Sequence, residues 1–182
     1  MNSTKEKLIL CGMDEVRTYG LGGFSLRRVA AACGVSCAAP YKHFSDKQEL
    51  FSAMIEYVNA KWVEQLRSDG IAGGRVEERI ARVCAGYVRF LCENPHFRSI
   101  LIIKETGLDT PGTQRAASIS IPLKRLFVIY GRKAKLSHEE LRERIFIVRS
   151  LVYGAAIMVG VNGAVPEQRL ACLSKSVLTA LE

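Results

Sequence analysis

The sequence predicts an all-α protein, on three observations. Apolar residues recur at helical spacing throughout, three Ser-x-x-Glu/Gln signatures mark helix starts, and no convincing run alternates as a strand would. The first helix opens at Ser3-Thr4-Lys5-Glu6, places Leu8, Ile9, Gly12, Met13, Val16 and Tyr19 on one face, and closes at Gly20. A short second helix runs from its N-cap Ser25 to Cys33. After a tight turn over Cys33-Gly34-Val35-Ser36, a third helix is expected from Ser36 to about His43. Ser45-Asp46-Lys47-Gln48 starts a long helix through Leu50, Phe51, Met54, Ile55, Val58, Trp62 and Leu66, which the glycines of Gly70–Gly74 break. Further helices are expected at Val76–Cys92, Pro95–Thr106, Thr113–Lys135, Ser137–Val161 and Pro166–Leu181. Pro95 and Pro111 sit at helix starts, where proline is tolerated, whereas Pro122 predicts a kink or split within its segment. Ser137-His138-Glu139-Glu140 is the third capping signature.

The bulk properties set bounds rather than a function. With 182 residues, 48% of them hydrophobic, the chain can bury a full core without disulfides. Its net charge of +8 is compatible with a polyanionic partner, yet the first 50 residues hold seven Lys/Arg against five Asp/Glu, so most of the excess lies elsewhere. Six cysteines are scattered through apolar patterns with no CxxC pair and no zinc-ligand spacing, so neither metal nor cofactor is expected. The N-terminus runs directly into an amphipathic helix rather than a secretory leader, and a cytoplasmic location is expected. The 17 residues between Arg149 and Glu167 are uncharged but carry Asn162, Gly154, Gly160 and Gly163; a buried or subunit-interface helix is expected there, not a membrane span.

Two short helices joined by a tight turn make a helix-turn-helix. Gly34 supplies the positive φ that the turn needs, and Val29, Ala30, Val35, Tyr41 and Phe44 have the spacing to pack the pair on the first helix. Small residues at Ala30–Ala32 let the helices cross closely, so that the second can present its N-terminal end to a major groove.

The run from Phe24 to Phe51 resembles the DNA-binding region of the TetR family of repressors, above all in Gly34-Val35-Ser36, Tyr41-Lys42-His43-Phe44, Asp46-Lys47 and Glu49-Leu50-Phe51. The resemblance implies a three-helix DNA-binding head over residues 1–46. It also implies a dimerising, ligand-sensing body of about six helices over 47–182. Ser25, Tyr41 and His43 would meet phosphates, and Lys47 would add its charge and a helix terminus. Arg27 would read a base, with guanine its natural partner. Ser36, Cys37, Ala38 and Ala39 open the reading helix, and Lys42 lies near its end. Cys37, Ala38 and Ala39 are small, leaving readout to Arg27, Lys42, thymine methyl contacts and DNA shape. Pro40 stands where the family has an aliphatic residue. Tyr41 is expected to bury its ring while its hydroxyl meets DNA. Cys33 is expected to pack as a small hydrophobe, and Cys37 to be exposed near the DNA.

For the body, the resemblance implies a cavity for a small-molecule effector. Trp62, Tyr87, Phe90, Phe97 and Phe127 are candidate lining residues, with Arg89, His96, Glu105, Arg149 and Tyr153 as polar contacts. Ser137–Val161 and Pro166–Leu181 would pair with their copies across a two-fold axis, with Gly154, Ala155, Ala156 and Gly160 permitting close approach. The expected function is a ligand-responsive regulator, most commonly a repressor. It binds a palindromic double-stranded operator as a homodimer and is released by an effector through a shift of the long helix. Two alternatives stand beside it: a small-molecule enzyme with a helical cavity, and a DNA binder without ligand control. The sequence shows no nucleophile–base pair, metal constellation or phosphate-binding glycine loop, since Gly20-Leu21-Gly22-Gly23 has no strand before it.

Overall fold

The computed structural model of the chain describes residues 3–70, 73–98, 120–158 and 166–182. Among them are seven α-helices and no strand: α1 (Thr4–Tyr19), α2 (Leu26–Ala32), α3 (Lys47–Asp69), α4 (Val76–Glu93), α5 (Ser120–Lys133), α6 (His138–Met158) and α7 (Glu167–Leu181). Two 3₁₀ turns, Pro40–Lys42 and Pro95–Arg98, complete the described structure. The chain divides into two compact units. The described residues of the first are 3–60 and 96–98; those of the second are 61–70, 73–95, 120–158 and 166–182.

Helix starts follow from short polar signatures. Ser3 Oγ accepts from the Glu6 N–H at 3.2 Å, while the Glu6 carboxylate accepts from the Tyr57 hydroxyl at 2.9 Å. At α6 the box closes both ways: Ser137 N–H donates to Glu140 Oε2 at 2.7 Å, and Glu140 N–H to Ser137 Oγ at 3.2 Å. The cap of α3 lies one residue later than expected. Asp46 Oδ1 accepts from Glu49 N–H at 2.8 Å and Glu49 Oε2 from Ser45 N–H at 2.6 Å, because an ionised carboxylate is a stronger acceptor than the Ser45 hydroxyl. Helix α5 is described from Ser120 to Lys133 and runs through Pro122 without a break among the described residues. Residues 113–119 of that expected helix are outside the described residues, as are 99–106 of the one expected from Pro95 and 159–161 of the one expected from Ser137.

In the first unit, Leu8, Met13 and Val16 of α1, Val29 and Ala30 of α2, Phe44, and Leu50, Phe51, Met54 and Val58 of α3 are buried. The α1–α2 contact includes a charge. Glu15 falls on the buried face of α1, only 7% exposed, and its Oε1 accepts from the Ser25 backbone N–H at 3.1 Å and from Arg28 Nε at 2.7 Å. The Arg28 guanidinium also donates to the Gly23 carbonyl and stacks 4.2 Å from the Tyr19 ring centre. Hydrogen bonding to Glu15 raises the Arg28 pKa further. Tyr19 therefore lies under a guanidinium at the surface, 53% exposed, and not in the core as its spacing suggested.

In the second unit, α4 packs against α5, α6 and α7. It buries Ile80, Val83, Cys84, Tyr87, Val88 and Leu91. Burial pushes the Cys84 thiol up to about 12, so it is an inert core residue. Helix α6 turns Val148, Val152 and Ala156 inward, and α7 turns in Leu170, Leu173, Val177 and Leu181. The last carbonyls of α7, which have no partner within the helix, are met by side chains. Tyr130 donates to Leu181 O at 2.5 Å and Arg144 to Ala180 O at 2.6 Å.

Two outcomes follow for stability. Glu15→Ala strips the acceptor from the Ser25 N–H and from Arg28, and should cost about 2 kcal/mol. A melt followed by circular dichroism should show a Tm lower by roughly 4–8 °C, and an unchanged Tm would show that Glu15 does not hold α2 on α1. The second outcome concerns pH. Glu49 is held below the usual carboxylate range by the Ser45 N–H, Glu78 by the Arg75 side chain and backbone, and Glu140 by the Ser137 side chain and backbone. A lowered folded-state value means stability that is fully present above about pH 5 and is lost as pH falls through those values. Urea midpoints of the parent should fall over that range, and those of the Glu49→Gln, Glu78→Gln, Glu140→Gln triple variant should fall less steeply.

Candidate nucleic-acid interface

The turn between α2 and the reading segment is built on backbone hydrogen bonds. Cys33 N–H reaches Val29 O at 3.1 Å, Gly34 N–H reaches Ala31 O at 3.0 Å, and Val35 N–H returns to Ala30 O at 3.0 Å. Gly34 takes φ +69°, the left-handed conformation anticipated for it.

Beyond the turn, the expected α-helix over Ser36–His43 is replaced by a tighter structure. Residues 37–39 form a turn, and Pro40–Lys42 form a single 3₁₀ turn. Pro40 has no N–H to give to Ser36 O, so that carbonyl takes the Ala39 N–H instead, at 2.9 Å and three residues on. Lys42 N–H to Ala39 O at 3.2 Å and His43 N–H to Pro40 O at 3.0 Å continue the three-residue pattern, and Phe44 N–H to Pro40 O at 2.9 Å ends it. Pro40 and Phe44 are the buried anchors of the segment. Tyr41 is not one of them: its ring is 62% exposed, because the tighter turn gives the inward position to Pro40.

Most of the residues singled out from the sequence are exposed. Arg27, Ser36, Cys37, Ala38, Tyr41, Lys42, His43 and Lys47 are exposed, while Ser25 and Ala39 are half-buried. The Ser25 hydroxyl caps α2 by accepting from Arg28 N–H at 3.4 Å, which leaves its own hydrogen to donate. Lys47 is the first residue of α3, where unpaired N–H groups and the helix dipole favour an anion. The acidic residues beside it are engaged, Asp46 and Glu49 each accepting a backbone N–H. Both adjacent arginines are exposed, but Arg28 is held by the buried Glu15 carboxylate. Sequence reasoning passed over Glu15 and Arg28. The signal was a glutamate at core spacing on α1, three residues after Gly12 and seven after Leu8, with an arginine in the first turn of the next helix.

The candidate effector residues divide between the units. In the second, Trp62 lies edge-on to Tyr87 at 5.2 Å and against Phe90 at 5.4 Å, all buried. Phe127 is buried and stands 6.5 Å from Tyr130. Arg149 is exposed and lies over the half-buried Tyr153, with 5.7 Å between guanidinium and ring centre. In the first unit, His96 packs on Phe97 at 4.1 Å and Phe97 on Tyr57 at 6.0 Å. Burial lowers the His96 pKa. Glu105 lies outside the described residues. No described helix is long and apolar enough to cross a membrane.

Residues 12–54 match the family described as bacterial regulatory proteins, tetR family. The fold is shared with a TetR family transcription regulator from Marinobacter aquaeolei VT8, at 18% identity and a TM-score of 0.74, covering 97% of this chain and 94% of that one. It is shared likewise with the TetR family regulator PfmR from Thermus thermophilus, at 19% identity and 0.71, over 97% and 99%. The regulator FadR from Bacillus subtilis, solved in complex with stearoyl-CoA, aligns at 15% identity and 0.70 over 96% of each chain. Residues 12–54 are thus similar to the DNA-binding region of the tetR family, and the chain shares the all-α fold of these solved proteins.

Proposed function

We propose that the chain is a transcriptional regulator, specifically a ligand-responsive repressor that binds a palindromic operator as a homodimer and leaves it when a small molecule binds. The observation that carries the DNA-binding part is the exposed set Arg27, Tyr41, Lys42, His43 and Lys47, set around a reading segment anchored by Pro40 and Phe44. On this reading Tyr41, His43 and Lys47, all exposed, meet phosphates and give affinity, while Arg27 reads guanine with its guanidinium fork.

The homodimer reading rests on α6. Its inward side carries Val148, Val152 and Ala156, while Phe146 (71% exposed), Ile147, Ile157 and Met158 (78%) remain at the surface. A helix apolar on both sides implies a second partner, and a two-fold copy of α6 and α7 supplies one of matching chemistry. Gly154 adds room, since a Cβ there would meet nothing within 4 Å. The effector reading rests on the interior aromatic group of Trp62, Tyr87 and Phe90, and on the fold shared with a regulator solved with an acyl-CoA. Release requires only that the ligand prefer the state that fits DNA less well.

Salt-titrated fluorescence anisotropy with the DNA upstream of the chain's own gene tests the first part. Tyr41→Phe and His43→Ala should weaken binding to all sequences, whereas Arg27→Ala should cost about 1–3 kcal/mol and also relax specificity. Parent-like affinity in all three variants would rule out this docking. Sedimentation tests the second part: the parent should be a dimer and Phe146→Glu combined with Ile157→Glu a folded monomer. A parent that stays monomeric at tens of micromolar would remove the two-fold interface.

A further inference from the structure

Two of the chain's six cysteines meet inside the first unit, where α1 and α2 pack on one another. Glu15 of α1 holds the start of α2 through the Ser25 N–H and Arg28. Cys11 lies four residues before Glu15, on the same side of α1. It meets the other end of α2, where the Cys33 thiol is hydrogen-bonded to it. Cys33 is the C-cap of α2, with its backbone N–H on Val29 O at 3.1 Å. Burial, and then the bond to Cys11, push the Cys33 thiol up to about 12, so Cys33 keeps its proton and is the donor of the pair. Both cysteines are half-buried. Cys11 also opens on a groove of about 520 Å³ whose walls include Asp14, Thr18 and Ala32, so a small solute can reach its sulfur. Cys84 is raised as far but is sealed in the core of the second unit.

We propose that Cys11 and Cys33 are a redox-active pair, which a hydroperoxide closes into a disulfide between α1 and the end of α2, lowering the affinity of the head for DNA. The effect on DNA rests on the DNA-binding reading above, whereas the disulfide stands apart from it. Cys11 is the acceptor of the pair and faces the groove, so its thiolate is the attacking sulfur. An S–O bond forms to the peroxide, the O–O bond breaks, and the departing hydroxide takes up the proton that Cys11 released. Oxidation of Cys11 removes the acceptor that held the Cys33 proton, which frees Cys33 to attack in its turn. The S–S bond then forms, the S–O bond breaks, and the oxygen leaves as water with the Cys33 proton. Two thiols lose two electrons, the peroxide gains them, and two waters are released. Exchange with a dithiol reverses the step. A covalent bond holds the sulfurs closer than hydrogen-bond contact does, so closure draws the end of α2 toward α1. Gly34 follows Cys33 directly and Ser36 opens the reading segment, so both move against the register that Glu15 sets at the start of α2.

Peptide mapping by mass spectrometry, after the full chain is treated with hydrogen peroxide, tests the pair. The parent should yield a peptide linked through Cys11 and Cys33, lost again on treatment with dithiothreitol. Cys33→Ser removes the second sulfur and should stop at the sulfenic acid, captured by dimedone at Cys11. Cys11→Ser should give neither product. The mapping of the parent decides the matter on its own if either variant melts below it. In the anisotropy assay, affinity for the operator should fall at least about tenfold on oxidation of the parent and recover on reduction. Cys11→Ser should keep its affinity under the same treatment. Absence of the linked peptide, or a link between copies through the exposed Cys37 in its place, would overturn the pair. A linked parent that binds the operator as the reduced protein does would overturn the switch, as would an equal loss of affinity in Cys11→Ser. A linked peptide from a protein that binds no DNA even when reduced would keep the disulfide and remove the DNA-binding reading instead.

Discussion

The presented surface of the head depends on one buried carboxylate. Glu15 accepts the Ser25 N–H, which fixes where α2 begins, and the Arg28 guanidinium, which fixes how α2 is turned about its axis. Burying a charge is unfavourable unless it is paired and hydrogen-bonded, and here both conditions are met by residues of the helix being positioned. An apolar pair at these sites would hold the helices together as well but would tolerate rotation and sliding. The ionic pair accepts one register. With that register set, Arg28 is tied to Glu15, while Arg27 lies exposed beside it. Two neighbours of identical chemistry thereby receive different tasks.

A second constraint, Pro40, acts on the segment that α2 introduces. Without its N–H the chain closes three-residue turns, and side chains come round every third residue where an α-helix would space them by 3.6. The inward places then fall to Pro40 and Phe44, and Tyr41 is moved out. Specificity in such a segment cannot come from Cys37, Ala38 and Ala39, which offer few hydrogen bonds. On the proposed reading it would come from Arg27 and Lys42 at the margins and from the deformability of the DNA. A short, tightly turned segment would suit that mode, because it would lose little conformational freedom on docking.

Much of this was legible in the sequence, for identifiable reasons. Helix ends were read from local chemistry, and local chemistry decides them: the Ser3 and Ser137 caps, the positive φ of Gly34 and the breaks around Gly70–Gly74 stand where the residue types required. The start of α3 was missed by one residue because Ser45 and Asp46 are both good caps, and only the Glu49 carboxylate returning to Ser45 decides between them. What could not be read were choices set by distant partners. Tyr19 has core spacing but is held at the surface by an arginine nine residues later. Tyr41 lost its inward place to a proline whose effect on register is not a propensity. Asn59 lies on a helix whose apolar residues read as core, and a polar residue there shows its significance only when its neighbours are seen not to answer it.

That last feature bears on the stability of α3. A helix selected for packing alone would carry Leu at position 59 and a tryptophan with an acceptor at position 62, since each unpaired buried polar group costs on the order of 1–3 kcal/mol. Among the described residues α3 leaves the two Asn59 amide atoms and the Trp62 indole N–H without a partner. On this argument α3 is less stable than its apolar packing alone would make it, and Leu at position 59 would raise the Tm.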